Sequence, residues 1–230
     1  MKKRLRENLT GYLFIAPNLV AYLLLTILPV IFVFYISFTD WDVVSGIGGI
    51  RFIGLDNYRE LPYDVWFTDS LKNNIRYTVL VVPISLVLSL LVALALNDKI
   101  FAPAPVRTMF FVPYVANVVA ISAVWMALYH PKYGPINAFL RYLGVNEPPA
   151  WLASTKWALP AIMIMNIWGG LGYNAVIYLA GLQTIPRELY EAAEIDGATG
   201  FQRLTQITLP MLTPTIFFLL ITSIIGAFQL

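Results

Sequence analysis

Five long apolar stretches, separated by shorter polar ones, set the pattern of this chain. They cover residues 11–38, 72–96, 106–129, 158–181 and 211–230. Each reaches the ~20 residues that a helix needs to cross a bilayer. The pattern predicts an all-α membrane protein, a polytopic helical bundle with five spans visible. Pro17, Pro29, Pro83 and Pro113 fall inside these stretches, where proline kinks a helix but is tolerated in a membrane. Lys72 and Arg76 open the second stretch, and their long stems allow the charges to reach the interface.

Composition strengthens this reading. The 230 residues are 59% hydrophobic and 12% charged, against roughly 25% charged in soluble domains. The net charge of +2 points to neither nucleic acid nor an acidic substrate. With no cysteine and a single histidine, His130, the chain offers no disulfide, thiolate cluster or multi-histidine metal site. His130 precedes Pro131 at a span edge and is read as structural.

The N-terminus reads MKKRLREN, with Lys2, Lys3, Arg4 and Arg6. Basic residues are retained on the cytoplasmic side, so residues 1–10 are expected inside. The apolar run that follows is longer than the ~7–15 residues of a signal-peptide core, which argues against cleavage. Segments 39–71 and 129–157 then lie outside, and 97–105 and 182–210 inside. Counted over the whole chain, the basic residues divide eight inside to seven outside, so the orientation rests mainly on the first cluster.

Several chemistries lack their motifs. There is no phosphate-binding G-x-x-x-x-G-K-[ST], no H-E-x-x-H and no nucleophile elbow. No Asp, Glu, Lys or Arg occupies a span interior; Arg76 and Arg107 lie near span ends. Ion-coupled carriers keep such groups in their spans. The pattern therefore counts against ion-coupled transport and against an intramembrane hydrolase, and leaves open a transport pore powered from elsewhere. An ion-gradient-driven secondary transporter and a non-transporting membrane scaffold are the alternatives.

One polar segment stands out between the fourth and fifth stretches. It reads YEAAEIDGATGFQRLTQITLP, residues 190–210. Pro186 suits a first helical turn. Glu188, Glu191 and Glu194 lie toward the favourable end of a helix dipole. Leu189, Ala192, Ala193 and Ile195 give a small apolar surface, and Gly197 breaks the helix. A second short helix, 201–207, is expected to end near Pro210. The product is a helix–glycine–helix elbow.

This segment resembles the EAA signature of binding-protein-dependent ABC importer permeases. Glu191-Ala192-Ala193, Gly197, Ile207 and Leu209-Pro210 stand at its spacing. SFTDWD (37–42), FIGLDNY (52–58), FFVPYV (110–115) and YGPIN (133–137) resemble the carbohydrate-uptake branch of that family. The resemblance covers essentially the whole chain. It implies a type I importer permease fold over 11–230, in the cytoplasmic membrane, with a coupling loop at 182–210. It also implies that Glu191, Ala192, Ala193, Asp196, Gly197, Ile207, Leu209 and Pro210 dock on a separate ATPase. The implied partners are a second permease, two ATP-binding subunits and an extracytoplasmic solute-binding protein. ATP and Mg would be held by the ATPase subunits, with no cofactor in this chain. Family members continue through a sixth span, whereas this sequence stops at IGAFQL, so a fragment or a shortened copy is expected.

The solute path has candidates in the fourth stretch. Asn166, Gly169, Gly170, Tyr173 and Asn174 fall within roughly 140° on a helical wheel, with Trp168 and Tyr178 nearby. Amides bond sugar hydroxyls, and aromatic faces cover sugar C–H surfaces. The same residues also suit close helix packing. Asn117, Ser122 and Trp125 are weaker candidates on the third stretch.

Overall fold

The computed structural model describes residues 2–97 and 104–229. The connection at 98–103, with Lys99, and the side chains of Lys2, Lys3, Arg4 and Arg6 lie outside the described set. The chain divides into two compact units, Met1–Ser70 and Leu71–Leu230.

In the first unit, α1 (Lys2–Tyr22) passes through a π turn (Leu23–Ile27) into α2 (Leu28–Ile36). Thr10–Ile36 is long and apolar enough to cross a membrane. The π turn has a local cause. Pro29 has no N–H for the carbonyl four residues back, and its ring crowds that carbonyl. A wider turn, closed by the Leu28 N–H on the Leu23 carbonyl, makes room.

Beyond Ile36 the chain forms a short antiparallel pair, β1 (Thr39–Asp40) with β2 (Arg51–Phe52), and then α3 (Asp56–Glu60). This ribbon adds a small β element to the expected all-helical pattern. The Asn57 amide donates to the Ser37 carbonyl at 3.0 Å and the Thr39 carbonyl at 2.9 Å. The Ser37 and Tyr58 hydroxyls meet at 2.7 Å, and the Phe38 ring packs on Tyr58. The motifs at 37–42 and 52–58 thus close on each other. The Arg51–Asp40 ion pair is exposed on both sides and adds little stability.

Helix α4 (Val65–Asn97) starts before the expected residue 72. The Asp64 carboxylate explains the earlier start, accepting from the N–H groups of Trp66 (2.7 Å) and Phe67 (3.3 Å).

The core of the second unit forms around α8 (Ala158–Gln183). Tyr77, Val81, Val82, Leu86 and Ala93 of α4 pack with Met163, Ala175, Tyr178 and Leu182 of α8 and with Leu212, Leu219 and Ala227. Small residues allow close approach between apolar helices in lipid, where packing replaces the hydrophobic drive. Gly172 is the closest case: a Cβ there would overlap the Phe110 carbonyl of α5 (Ala104–Val115).

The third expected span is not one helix. Α-helical structure in Thr108–Val115 and Val118–Leu128 is separated by a bend of 103°. Asn117 makes the break. Its backbone is extended, and its side-chain oxygen accepts from the N–H groups of Val119 (2.9 Å) and Ala120 (3.4 Å). It therefore caps a new helix, α6 (Val118–Leu128).

Between α6 and α8 lies α7 (Pro135–Tyr142). Asn137, only 1% exposed, anchors this segment. Its amide donates to the carbonyls of Pro131 (3.0 Å) and Pro149 (2.9 Å) and accepts from the Trp151 indole at 2.6 Å. The Tyr129 hydroxyl donates to the Ala161 carbonyl, and its ring lies 4.9 Å from that of Trp151.

The fifth span also differs from expectation. Helix α10 (Gly200–Arg203), a π turn (Leu204–Thr208) and α11 (Leu209–Ala227) run on without interruption. The candidate span is therefore Gly200–Ala227, not 211–230. Pro210 does not end the elbow helix. As at Pro29, a wide turn precedes it, closed by the Leu209 N–H on the Leu204 carbonyl. Thr208, inside that turn, is buried.

Candidate functional site

A cavity of about 460 Å³ lies in the second unit. Its walls come from α4 (Tyr77, Ser85), α5 (Tyr114), α8 (Asn166, Gly170, Tyr173, Asn174) and α11 (Thr222, Ser223, Gly226). This volume lies in the ~300–1,000 Å³ range of pockets that enclose small ligands. Of the sequence candidates, Asn166, Tyr173 and Asn174 meet here. Asn117 and Trp125 do not. Asn117 caps α6, and Trp125 packs its ring on Tyr129 (5.1 Å) and Trp168 (5.6 Å). Tyr178 lies in the core, 1% exposed.

The polar groups around the cavity are held from below. Asn174 is buried and donates to the Ser85 hydroxyl at 3.3 Å, joining α8 to α4. Asn166 donates to the Ile162 carbonyl of its own helix at 3.0 Å. Tyr114 and Tyr173 stack with centroids 4.6 Å apart. The lining therefore combines amides, hydroxyls and a flat aromatic pair. A second cleft of about 290 Å³, lined by Val106, Met109, Phe110, Pro113, Trp168 and Leu171, is apolar.

Sequence reasoning missed Tyr77, Ser85, Tyr114, Thr222 and Ser223. A signal existed for two of them: Tyr77, Val81 and Ser85 stand four residues apart and share one helix face. Tyr114 became visible only through the bend that follows α5.

The elbow is built from two mutually supporting caps. Helix α9 (Arg187–Ile195) follows Pro186 and ends at Asp196. Gly197 has φ +76°, in the left-handed region that favours glycine. Its N–H reaches the Glu194 carbonyl at 3.1 Å, and the Ala198 N–H reaches that of Ala193 at 2.8 Å. This is the paired closure of a Schellman motif. Thr199 then caps α10, with Gln202 completing a reciprocal capping box.

The signature residues divide by burial. Glu191, Ala192, Asp196, Gly197 and Pro210 are exposed, while Ala193, Ile207 and Leu209 are partly buried. Ile207 and Tyr190 pack on the core, and the Tyr190 and Thr208 hydroxyls meet at 2.9 Å. Glu194 and Arg203 approach to 3.8 Å across the turn. Two large apolar side chains flank it in the open: Ile195, 87% exposed, and Phe201, 73% exposed. The elbow thus presents acids around an apolar pair. Neither flanking residue was singled out as a coupling residue from the sequence.

The family model for the "Binding-protein-dependent transport system inner membrane component" matches residues 63–230. The chain is 36% identical over 226 residues to the "Probable ABC transporter permease protein YesP" of Bacillus subtilis (strain 168), covering 97% of this chain and 72% of that protein. It is 35% identical over 226 residues to the "Lactose transport system permease protein LacF" of Rhizobium radiobacter, covering 97% and 74%. Among solved structures, a chain of a bacterial alginate ABC transporter in complex with an alginate pentasaccharide-bound periplasmic protein superposes with a TM-score of 0.80. That match is 25% identical and covers 97% of this chain and 74% of the other.

Proposed function

The chain belongs to the binding-protein-dependent transport system inner membrane components and is a multi-pass ABC importer permease; from that premise we propose that it passes a sugar or sugar-like solute through the cavity by alternating access. The lactose permease relative and the alginate transporter support the solute class. The cavity supports it chemically, because amides and hydroxyls bond sugar hydroxyls and the Tyr114–Tyr173 stack offers a face for C–H groups. The chain itself carries out transport, not catalysis, and holds no cofactor. ATP and Mg belong to two ATP-binding subunits, which work with a second permease and an extracytoplasmic solute-binding protein.

One observation carries the mechanism. The elbow and the cavity are two ends of the same helix. From Phe201 at the elbow to Thr222 at the cavity the helix runs unbroken, which spans roughly 30 Å at 1.5 Å per residue. A push on the elbow by an ATPase docked at 182–210 would therefore tilt or turn a cavity wall directly. Glu191 and Asp196 meet basic groups of the ATPase, Ala192 and Ala193 allow close approach, and Ile195 and Phe201 anchor the contact. Ile207, Leu209 and Pro210 connect the elbow to the span.

The test is uptake by the assembled transporter in proteoliposomes, with maltose and lactose as probes. Uptake should follow ATP inside the vesicles and ignore imposed ion gradients. Dependence on a proton or sodium gradient would instead give the chain to secondary transport. Asn174→Ala should weaken uptake about tenfold, the equivalent of one lost hydrogen bond of roughly 1–1.5 kcal/mol. It should lower the amount of folded protein much less. A parallel fall of both would make Asn174 a packing residue only.

Topology gives an independent check, since the sequence has no cysteine of its own. We expect residues 1–10 and the loop at 182–210 on the cytoplasmic side. A cysteine at the fully exposed Val44 should react with an impermeant thiol reagent in intact cells, and one at Thr199 should react only after permeabilisation. The reverse pattern would invert the chain and remove the elbow from the ATPase.

A further inference from the structure

The corner between α6 and α7 contributes to neither the cavity nor the elbow, yet it is closely built. The Gly134 N–H donates to the His130 carbonyl at 2.9 Å. A Cβ at Gly134 would collide with the backbone of Leu128 and His130, so the turn is wound tightly onto the end of α6. Beside it runs a groove of about 520 Å³, lined by Val124, Ala127, Leu128, His130, Tyr133 and Pro135.

The two ends of this groove differ in chemistry. Val124, Ala127 and Leu128 belong to α6, the second half of the bent span, and Val124 is 57% exposed. At the other end, the His130 Nδ1 accepts from the N–H groups of Lys132 (3.3 Å) and Tyr133 (3.1 Å). The ring proton therefore sits on Nε2, as a donor. The His130 and Tyr133 rings stack at 5.2 Å, and Lys132 is exposed next to them.

Helix α7 continues the pattern. Ile136, Asn137 and Leu140 face inward. The opposite arc, formed by Pro135, Ala138, Phe139 and Tyr142 with Leu143 just beyond, is exposed and apolar. A short helix with an apolar outer arc, next to the end of a span, suits the headgroup layer of a bilayer, where tyrosine is enriched.

We propose that this corner holds a phospholipid. The acyl chain lies along Val124, Ala127 and Leu128, the phosphate meets His130 and Lys132, and α7 rests in the headgroup layer. The groove selects this occupant. Its apolar wall is part of a membrane span, so hydrocarbon is the medium that reaches it, and its donors stand where the span ends. An amphiphile with an anionic head satisfies both ends together, whereas a soluble partner would have to reach below the membrane surface.

The full chain in nanodiscs doped with phosphatidylglycerol carrying a photoreactive group on its acyl chain provides the test, with adducts mapped by peptide mass spectrometry. Adducts should concentrate on residues 124–135 several-fold over the equally exposed apolar face at 30–33 of the first span. Tyr133→Glu, an exposed change that adds an anion at the headgroup end, should reduce the adducts at 124–135 and leave those at 30–33 unchanged. His130→Ala should act in the same direction. Equal labelling of the two faces, or indifference to both variants, would overturn the proposal. So would loss of the 124–135 adducts when labelling is repeated in native membranes, which would assign the corner to a protein neighbour.

Discussion

Gly197→Asp is expected to abolish solute uptake while the protein still inserts and folds. Gly197 sits at φ +76° with its N–H and that of Ala198 closing the end of α9. An L side chain in that conformation costs about 1–2 kcal/mol. Nothing lies within 4 Å of the Cβ it would gain, so the penalty is backbone strain without collision. That sum is survivable for a membrane bundle but large for a turn that, on the proposed coupling, sets how the elbow meets the ATPase. The aspartate also adds an anion beside Asp196, close to Glu194. Gly197→Asn separates the two effects, because asparagine tolerates this conformation better and carries no charge. It should keep a substantial part of the uptake. Membrane content is read by immunoblot, and uptake and ATP hydrolysis by transport assay. Wild-type coupled uptake by the aspartate variant would show that the elbow does not transmit the ATPase stroke.

Gly172→Val is expected to remove most of the folded protein. Here the obstruction is backbone: the Phe110 carbonyl and the Phe111 Cα occupy the space a side chain needs, and neither can swing aside as a side-chain tip would. Overpacking of this kind costs about 1–3 kcal/mol, and more when main chain must move. Separation of α5 from α8 would also displace Tyr114 from its stack on Tyr173. Gly169→Ala, three residues earlier on the same helix, meets nothing within 4 Å. It should be neutral or slightly stabilising, since alanine favours helix over glycine by about 1 kcal/mol. Size-exclusion profiles and thermal midpoints in detergent give both values. Equal behaviour of the two variants would mean that α5 and α8 do not approach as closely as described.

Much of this architecture was legible in the sequence because apolar length alone fixes a membrane span. Thr10–Ile36 and Ala158–Gln183 fall within a few residues of the stretches read from composition. The elbow was legible because glycine at Gly197 and the acids before it have local physical reasons. The broken third span was not read, although Asn117 before an apolar run is a capping signal. Its amide was weighed for solute contact, and a cap competes for the same oxygen. The wide turns before Pro29 and Pro210 were hidden for another reason. Proline announces a disturbance, but whether the helix kinks, ends or widens depends on backbone geometry that no residue spacing records. The cavity was half legible: the asparagines and Tyr173 of α8 were found from one helix face, whereas Tyr114 needed the neighbouring helices in place.

The wide turn at Leu204–Thr208 also bears on the phase of the helix. An α-helix advances about 100° per residue, and the wide turn takes up one additional residue within a single turn, so the helix beyond it keeps its direction. Phe201 at one end and Thr222 at the other thus point in azimuths fixed by the residue count of the α-helical part, as one tooth fixes the mesh of two gears. Removing a residue from this turn would let the helix tighten to α and leave the hydroxyls of Thr222 and Ser223 in the wall they now form, whereas removing one from the α-helical part beyond it would swing them out by roughly 100°. Between Thr208 and Thr222, by contrast, the residue count is an angular setting as much as a length.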